Sequence, residues 1–431
     1  MSISILPPDD HRALVRRLDL CHFQDEAPGM AFWHPRGWTL YRVLEDAARA
    51  QVLAGDYREV NTPQLLRRPV WQTSGHWDAF AGGMFAFGAG DDECALKPVS
   101  CPGHIQLVKR MAPSWRDLPL RLAEFGRVHR DEPTGTLHGL MRLRQFSQDD
   151  GHIFCTEDQI GDEVARFCRE LPTFYARFGF TDVAVALSLR PAERIGDDAA
   201  WDRAEQILGD VAASLGVPVE IQPGAGAIYG PKLEFVLRDR RDRAWQCGTI
   251  QLDFAMPQRF DVRYVDSSGE RKLVAMLHRA LFGSIERFLG VMLEHHGAAL
   301  PAWLAPEQVA IVPIADRHRD YAERVRAALG VRARIDLDDT LARRIAVAHR
   351  DGVPFVAIVG DRDVASETIS IRETGSIRET GSIRETGSIR ETGSIRETGS
   401  IRETGSIRER GAQVTLPFDE AIARLRERCA S

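Results

Sequence analysis

The order of strand-like and helix-like segments changes near residue 300, and this change constrains the fold more than any other feature. Before it, short strand-like runs such as 232–237 cluster together with helices around them. That pattern is typical of an α+β domain built on an antiparallel sheet. After it, strands and helices alternate, starting with the strand-like run 309–314, which predicts a small α/β domain with parallel strands. The proline-punctuated stretch LPAWLAPEQV separates the two patterns, so we expect one domain at 1–300 and another at 301–431.

Apolar spacing adds predictions for single elements. Apolar residues at helical intervals predict helices over 38–53, 279–293 and 419–428. Short strand-like bursts predict strands over 139–144 and 151–154.

Bulk composition excludes several classes of protein. The chain has 431 residues, of which 44% are hydrophobic, and a formal net charge of −6. A protein that bound nucleic acid through bulk charge would be basic, so any RNA contact requires a local patch. The seven cysteines form an odd, scattered set without a CxxC pair, which indicates a reducing compartment. No apolar run approaches the roughly 18 residues of a membrane span, so we expect a cytoplasmic protein with no membrane partner.

Polar residues concentrate in three stretches that lie among apolar neighbours. They are KPVSCPGH (97–104), FGRVHRDE (125–132) with FSQDDGH (146–152), and MLHRALFGSIERF (276–288). Cys101, His152 and His278 are 51 and 126 residues apart, which is no local metal signature. On spacing alone each histidine could be structural and the cysteine a buried small hydrophobe. Likewise, an arginine at a strand edge more often takes part in a solvated ion pair than in ligand binding.

Together with the phrases TSGHWD, EPTG, HIFCTE and YGPK, these stretches resemble the catalytic core of class II aminoacyl-tRNA synthetases, and specifically threonyl-tRNA synthetases. The similarity extends from about Leu18 to Val364. Motif 1 would end at Pro63, motif 2 would contain Arg130 and Glu132, and motif 3 would be GSIER, ending at Arg287.

The resemblance implies a site for ATP, which binds with Mg²⁺. Arg130 would clamp the α-phosphate and the threonine carboxylate, because a planar guanidinium can bind both. Glu132 would accept a hydrogen bond from the adenine amino group. Arg142 would bind the γ-phosphate, and Arg287 would stabilise the triphosphate from the other side.

The resemblance also implies one zinc ion per subunit, bound by Cys101, His152 and His278 with an open coordination position. In this family the amino and hydroxyl groups of threonine fill that position, which valine cannot do. The remaining substrate-binding residues would be Gln148, Asp150, Tyr229 and Gln251, with the carboxylate of Asp150 accepting the substrate hydroxyl proton.

His76 matches a histidine that the family uses near the acceptor ribose during transfer, although it could equally be a packing residue beside Trp77. The chain begins directly at the catalytic core, so we expect neither a ubiquitin-like module nor an editing domain. Serine lacks only one methyl group of threonine, worth about 1–3 kcal/mol, and we therefore expect measurable mischarging. A homodimer is expected, since motif 1 usually forms the class II dimer interface.

The C-terminal part departs from the family pattern. Asp338, within DLDDTL, occupies a position where the family's basic stretch suggests arginine. Acidic residues on an RNA-facing surface weaken phosphate contacts. Three functions therefore remain open: a threonine–tRNA ligase acting on tRNA-Thr, a paralogue that delivers threonine to a carrier protein, and a catalytically silent RNA-binding or regulatory module. The intact metal triad and motif arginines disfavour the third.

A hexapeptide repeat interrupts the second domain at 370–411. Six identical SIRETG copies extend from Ser370 to Gly405, and a variant copy ends at Gly411. Each copy is electrically neutral, and one glycine per copy costs a helix about 1 kcal/mol. A β-solenoid would need more coils than the tract provides. We expect a flexible or weakly ordered loop, inserted into a strand–turn–strand that would read SETISIRERGAQVTLPF without six copies.

Overall fold

The computed structural model describes residues 6–80, 82–374 and 413–430. The chain divides into two compact units, with the boundary between Ala298 and Ala299. Within the described residues, no helix is both long and apolar enough to cross a membrane.

The first unit combines one large sheet with helices and small hairpins. Its helices are α1 (His11–Arg17), α2 (Pro35–Ala54), α3 (Arg68–Ser74), α4 (His76–Ala79), α5 (Cys101–Met111), α6 (Ile160–Ala176), α7 (Asp198–Ser214), α8 (Ala255–Arg259) and α9 (Ile285–His296). Its strands are β1 (Cys21–His22), β2 (Phe32–Trp33), β3 (Arg58–Glu59), β4 (Leu65–Arg67), β5 (Ala86–Phe87), β6 (Cys94–Leu96), β7 (Leu120–His129), β8 (Gln145–Cys155), β9 (Val183–Ser188), β10 (Val219–Gln222), β11 (Lys232–Arg238), β12 (Ala244–Asp253), β13 (Arg263–Val265), β14 (Arg271–Leu273) and β15 (Ala275–Ala280).

In the described chain the large sheet has the strand order β10-β9-β11-β12-β15-β8-β7-β3. Adjacent strands in this sheet pair antiparallel, except that β10 with β9 and β3 with β7 pair in parallel. Helix α6 packs on β12 and α9 packs on β8. The predicted α+β class, an antiparallel sheet flanked by helices, is confirmed.

Two of the predicted elements are wrong in part. The predicted helix 279–293 begins too early, because Arg279 lies on β15 and Gly283, with φ of +79°, interrupts the chain before α9. The Arg279 guanidinium packs over the Tyr57 ring at 4.3 Å, and a Cβ on the facing Gly151 would lie 2.4 Å from Arg279 Nε. The predicted strand 139–144 forms turns instead, and β8 begins at Gln145.

The second unit contains a smaller sheet. Its helices are α10 (Arg319–Leu329), α11 (Leu341–Arg350), α12 (Asp361–Ser366) and α13 (Phe418–Cys429), and its strands are β16 (Val309–Pro313), β17 (Ala333–Ile335), β18 (Phe355–Val359), β19 (Thr368–Glu373) and β20 (Val414–Pro417). The described strands have the order β17-β16-β18-β19-β20. The parallel prediction is confirmed for β17, β16 and β18. β19 pairs antiparallel with β18 and with β20. The connection through the short α12 is too brief for a parallel crossover.

The beginning of the hexapeptide repeat belongs to the core of this second unit. Ser370 and Ile371, the first two residues of the first copy, lie on β19, and Ile371 packs in a cluster with Ile369 and Leu425. β19 pairs with β20, which follows the tract, and Ser370 Oγ lies 2.8 Å from Thr415 Oγ1. The predicted strand pair around the repeat is therefore confirmed. The loop predicted for the repeat lies outside the described residues from 375 onward.

Candidate active site

Strand register brings together three polar residues that are far apart in sequence. His278 on β15 faces His152 on β8 and Gln251 on β12 as direct cross-strand neighbours. Residues opposite each other on antiparallel strands have Cβ atoms about 5 Å apart. Accordingly, the rings of His152 and His278 have centroids 4.7 Å apart. The register thus forms one row of side chains across the sheet.

Cys101 reaches this row from the first residue of α5. Gly103 allows the close approach of that helix, because a Cβ there would lie 2.7 Å from Thr62 Oγ1. One ligand atom from each of Cys101, His152 and His278 lies within 4.8 Å of the others, and all three residues are buried. One thiol and two imidazoles form a donor set that zinc prefers, so these residues fit a zinc ion. Burial raises the pKa of the Cys101 thiol, an effect that a bound cation opposes.

Both histidines have buried hydrogen-bond partners on their far sides, which sequence reasoning missed. His278 Nε2 lies 3.0 Å from Asp253 Oδ2, and the other oxygen of Asp253 accepts from the backbone N–H groups of Ala255 and Met256. His152 Nδ1 lies 2.7 Å from His104 Nδ1. His104 belongs to the CPGH phrase, three residues after Cys101, and this proximity is the sequence signal that could have identified it.

The four predicted substrate-binding residues lie around the same centre. Asp150 accepts a hydrogen bond from the Ser100 backbone N–H at 3.2 Å, and burial raises the pKa of its carboxyl group. The Tyr229 ring centroid is 5.3 Å from that of His278. Gln251 donates to the Gly230 carbonyl at 3.4 Å, and Gln148 Oε1 is buried without a partner in the described chain.

Arg130 immediately follows β7 and lies between aromatic rings. Its guanidinium carbon is 5.2 Å from the centroid of Phe146 and 5.9 Å from that of Phe80, and its Nε donates to the Pro98 carbonyl at 3.3 Å. Burial lowers the pKa of Arg130, while Tyr229, Glu132 and nearby acidic groups oppose this. An arginine remains charged under such a shift. The site therefore contains a fixed, partly desolvated cation.

The predicted adenine ligand and the predicted γ-phosphate ligand contact each other. Arg142 donates to Glu132 Oε2 through Nη2 at 2.7 Å and through Nε at 3.0 Å. Arg142 is exposed, so this ion pair separates at modest cost.

Arg287 lies in the first turn of α9, where the Ser284 hydroxyl caps the helix by accepting from the Arg287 backbone N–H. The preceding turn is ordered by Asp149, which sequence reasoning missed. Its carboxylate accepts from the backbone N–H groups of Phe282 at 3.0 Å and Gly283 at 2.9 Å. Burial raises the pKa of Asp149 to about 6, opposed by Arg279 and these N–H groups.

His76 begins α4 and is buried among aromatic rings. Its centroid lies 6.2 Å from Trp71, 5.4 Å from Phe80 and 6.0 Å from Tyr229. Burial lowers the pKa of His76 to about 3, so the imidazole is neutral at physiological pH. Nδ1 lies 2.8 Å from Ser74 Oγ, and Nε2 is buried without a partner among the described residues.

Acidic side chains are prominent in the second unit. Arg334 Nη1 lies 2.9 Å from Glu307 and 3.1 Å from Asp351, and Arg334 Nε lies 3.0 Å from Asp336. Asp338 is exposed. Carboxylates therefore neutralise a cation that could otherwise attract phosphate.

Comparison with known proteins agrees with this architecture. Residues 85–296 match the tRNA synthetase class II core domain (G, H, P, S and T), and residues 308–391 match the anticodon binding domain. The threonine–tRNA ligase of Halorhodospira halophila is 50% identical over 367 residues, covering 84% of this chain and 57% of that protein. That of Dichelobacter nodosus is 47% identical with the same coverage. The chain thus spans a little over half the length of these curated relatives.

Solved structures extend the comparison. The crystal structure of the RNA binding domain of threonyl-tRNA synthetase from Cryptosporidium parvum has a TM-score of 0.85 at 34% identity, covering 97% of this chain and 98% of that chain. Prolyl-tRNA synthetase from the same organism shares the fold at 16% identity, with a TM-score of 0.68 and coverage of 97% and 74%. From its sequence and its fold alike, the chain belongs to the threonyl-tRNA synthetase family of class II aminoacyl-tRNA synthetases.

Proposed function

We propose that this chain activates L-threonine with ATP and transfers the threonyl group to tRNA-Thr, with residues 1–300 as the catalytic domain and 301–431 as an anticodon-binding-like domain. One observation carries the proposal. The buried donor set of Cys101, His152 and His278 lies beside the predicted substrate residues and within electrostatic reach of Arg130.

The activation step joins the threonine carboxylate to the α-phosphorus of ATP and releases pyrophosphate, while Mg²⁺ accompanies the nucleotide. Negative charge develops on the α-phosphate, and Arg130 stabilises it from a partly desolvated position. Glu132 and Arg142 exchange their mutual ion pair for the adenine amino group and the γ-phosphate. Arg287 binds the triphosphate from the first turn of α9.

Specificity for threonine comes from a metal ion and from buried polar atoms. Cys101, His152 and His278 would hold a zinc ion, which would supply an electrophilic position for the substrate amino and hydroxyl groups. Asp150 accepts the hydroxyl proton, and Gln148 offers a buried oxygen that lacks a partner. Valine leaves these groups unsatisfied, which costs more than a lost methyl contact.

The test is ATP–pyrophosphate exchange across an amino-acid panel, combined with zinc analysis of the same preparation. We expect threonine to be activated best, serine about 10–200-fold less efficiently, and valine far less. The matched control is Cys94→Ser, which alters a half-exposed cysteine outside the donor set. A zinc-containing preparation that exchanges pyrophosphate with no threonine dependence would contradict the proposal.

One observation favours a different acceptor of the threonyl group. In the second unit, carboxylates pair with Arg334, and Asp338 is exposed. Under this alternative the chain forms threonyl-adenylate and delivers threonine to a carrier-protein thiol. Aminoacylation of tRNA-Thr transcripts, with and without an altered anticodon, separates the two. Robust exchange without tRNA charging supports the carrier, whereas charging that depends on the anticodon supports the ligase.

Family membership further supports a homodimer and a cytoplasmic location as parts of this proposal. Light scattering during gel filtration tests the first, with twice the mass of one chain as the expected result. A monomer with full exchange activity would contradict it.

A further inference from the structure

A continuous line of buried side chains leads from Lys97 to the candidate metal ligand His152. Lys97 Nζ lies 2.6 Å from Glu124 Oε1, and Glu124 Oε2 lies 3.0 Å from His104 Nε2. His104 Nδ1 then lies 2.7 Å from His152 Nδ1. All four side chains are at most 1% exposed, so water does not compete for these hydrogen bonds.

The chemistry of each partner fixes the direction of these bonds. Burial opposes ionisation of Glu124, but hydrogen bonds from His104 and Lys97 outweigh it and lower the pKa of Glu124 to about 2. An ionised carboxylate only accepts, so His104 Nε2 donates to it. When this N–H is the single one on the ring, Nδ1 of His104 has a lone pair and accepts. His152 Nδ1 must therefore bear the proton, and His152 Nε2 retains a lone pair.

We propose that Glu124 and His104 are positioning residues that set the tautomer of His152, so that its Nε2 lone pair is available to the metal ion. The inference rests on the proposed function, which supplies the zinc site. It adds two residues of this chain that act on the metal through a ligand. Partners that orient metal-bound histidines are often worth about 10–100-fold in metal affinity.

The same reasoning applies to His278, the candidate metal ligand that hydrogen-bonds Asp253. His278 Nε2 donates to Asp253, which leaves His278 Nδ1 with a lone pair. His278 Nδ1 and His152 Nε2 lie 3.0 Å apart. Two lone pairs at this distance repel each other unless a cation lies close to both. The two outer carboxylates, Glu124 and Asp253, thus select the histidine forms that favour a cation.

Glu124 is itself held rigidly. Its carboxylate also accepts from the Thr62 backbone N–H at 3.1 Å and from the Thr62 hydroxyl at 2.8 Å. Lys97 Nζ donates to Thr62 Oγ1 at 3.0 Å. The orientation of His104 is therefore tied to the segment that precedes Pro63.

Two substitutions at one position test the proposal. His104→Asn places an amide oxygen near the position of Nδ1, where it accepts from His152. His104→Gln places its amide near Nε2, where it donates to Glu124 but leaves the His152 N–H without an acceptor. His11→Asn is the matched control, because His11 is equally buried and bonded to the carboxylate of Glu294 away from the ligands.

The readout is the zinc dissociation constant of the full chain, measured by competition with a chelator at fixed pH. We expect His104→Gln to bind zinc about 10–100-fold more weakly, and His104→Asn and His11→Asn to remain within about threefold of wild type. Equal affinity of the Gln and Asn variants would overturn the positioning role and leave the zinc site intact. A wild-type chain that binds no zinc would overturn both.

A measurement on the wild-type chain covers the case in which His104→Gln does not fold. In the zinc-stripped protein labelled with ¹³C,¹⁵N-histidine, NMR reports the tautomer of His152, assigned by loss of its signal in His152→Ala. We expect the Nδ1–H form. The Nε2–H form, which is the commoner one in water, would refute the proposal.

Discussion

The two sheets of this protein respond differently to changes in the chain. In the large sheet, the row of Gln251, His278 and His152 exists only because three strands have one particular register. A slip of one residue would move each side chain to the other face. In the smaller sheet, β19 and β20 pair although residues 374–413, which include most of the repeat tract, lie between them. A connecting loop can lengthen at small cost because closure entropy grows slowly with length.

The largest effect should follow removal of the site's fixed cation. Arg130→Ala is expected to lower threonine-dependent pyrophosphate exchange by about a thousandfold, since charge on the α-phosphate loses its partner. Arg110→Ala, an exposed arginine at the end of α5, is the control and should exchange normally. A loss below about tenfold for Arg130→Ala would show that another group stabilises that charge.

Loss of the thiol tests whether the three sequence-distant residues act as one metal site. Cys101→Ser should lose bound zinc and lower kcat/KM for threonine by about 10²–10³-fold, since Lewis-acid contributions amount to several kcal/mol. Discrimination against valine should fall at the same time. Cys94→Ser should retain both zinc and selectivity. Unchanged valine discrimination in zinc-free Cys101→Ser would assign specificity to shape alone.

Substitution of His76 tests the two reaction steps, adenylate formation and transfer to tRNA, separately. His76→Gln should leave pyrophosphate exchange unchanged and slow transfer to tRNA by about a hundredfold, near the low end for a positioned acid–base group. Single-turnover transfer from preformed adenylate measures this. Equal losses in both steps would instead favour a packing role beside Trp71 and Phe80.

The same side chain predicts a pH dependence of stability. The pKa of His76 is about 3 in the folded chain, below about 6.5 in the unfolded chain. Only the unfolded chain takes up this proton as the pH falls below 6.5, so stability decreases there. Between pH 6.5 and pH 5, proton uptake by His76 in the unfolded chain lowers the free energy of unfolding by about 2 kcal/mol. Urea unfolding should show a flatter pH profile for His76→Gln, and identical profiles would contradict the assigned burial effect.

Motif phrases and apolar periodicity predicted the fold class, most strands of the smaller sheet and the residues that converge in the larger one. They could not predict Glu124, Asp253 or Asp149, because these act through contacts that only strand register and helix ends create. The apolar residues around Arg279 predict a helix, although this residue lies on β15. Its buried guanidinium is accommodated by a glycine on the adjacent strand, which no local pattern shows.

The smallest effect is expected for the repeat. Deleting 370–405 restores a single copy, so that Ser406 and Ile407 replace Ser370 and Ile371 on β19. The connection to β20 becomes about ten times shorter, which should stabilise the second unit by up to about 2 kcal/mol through closure entropy. Pyrophosphate exchange should not change, because the row of site residues belongs to the other sheet. The control is replacement of residues 376–411 by a glycine–serine linker of equal length, which leaves the first copy on β19 and should match the intact chain in stability. If the deletion abolished exchange, the tract would be required for activity. The two sheets would then not differ in their tolerance of changes in the chain.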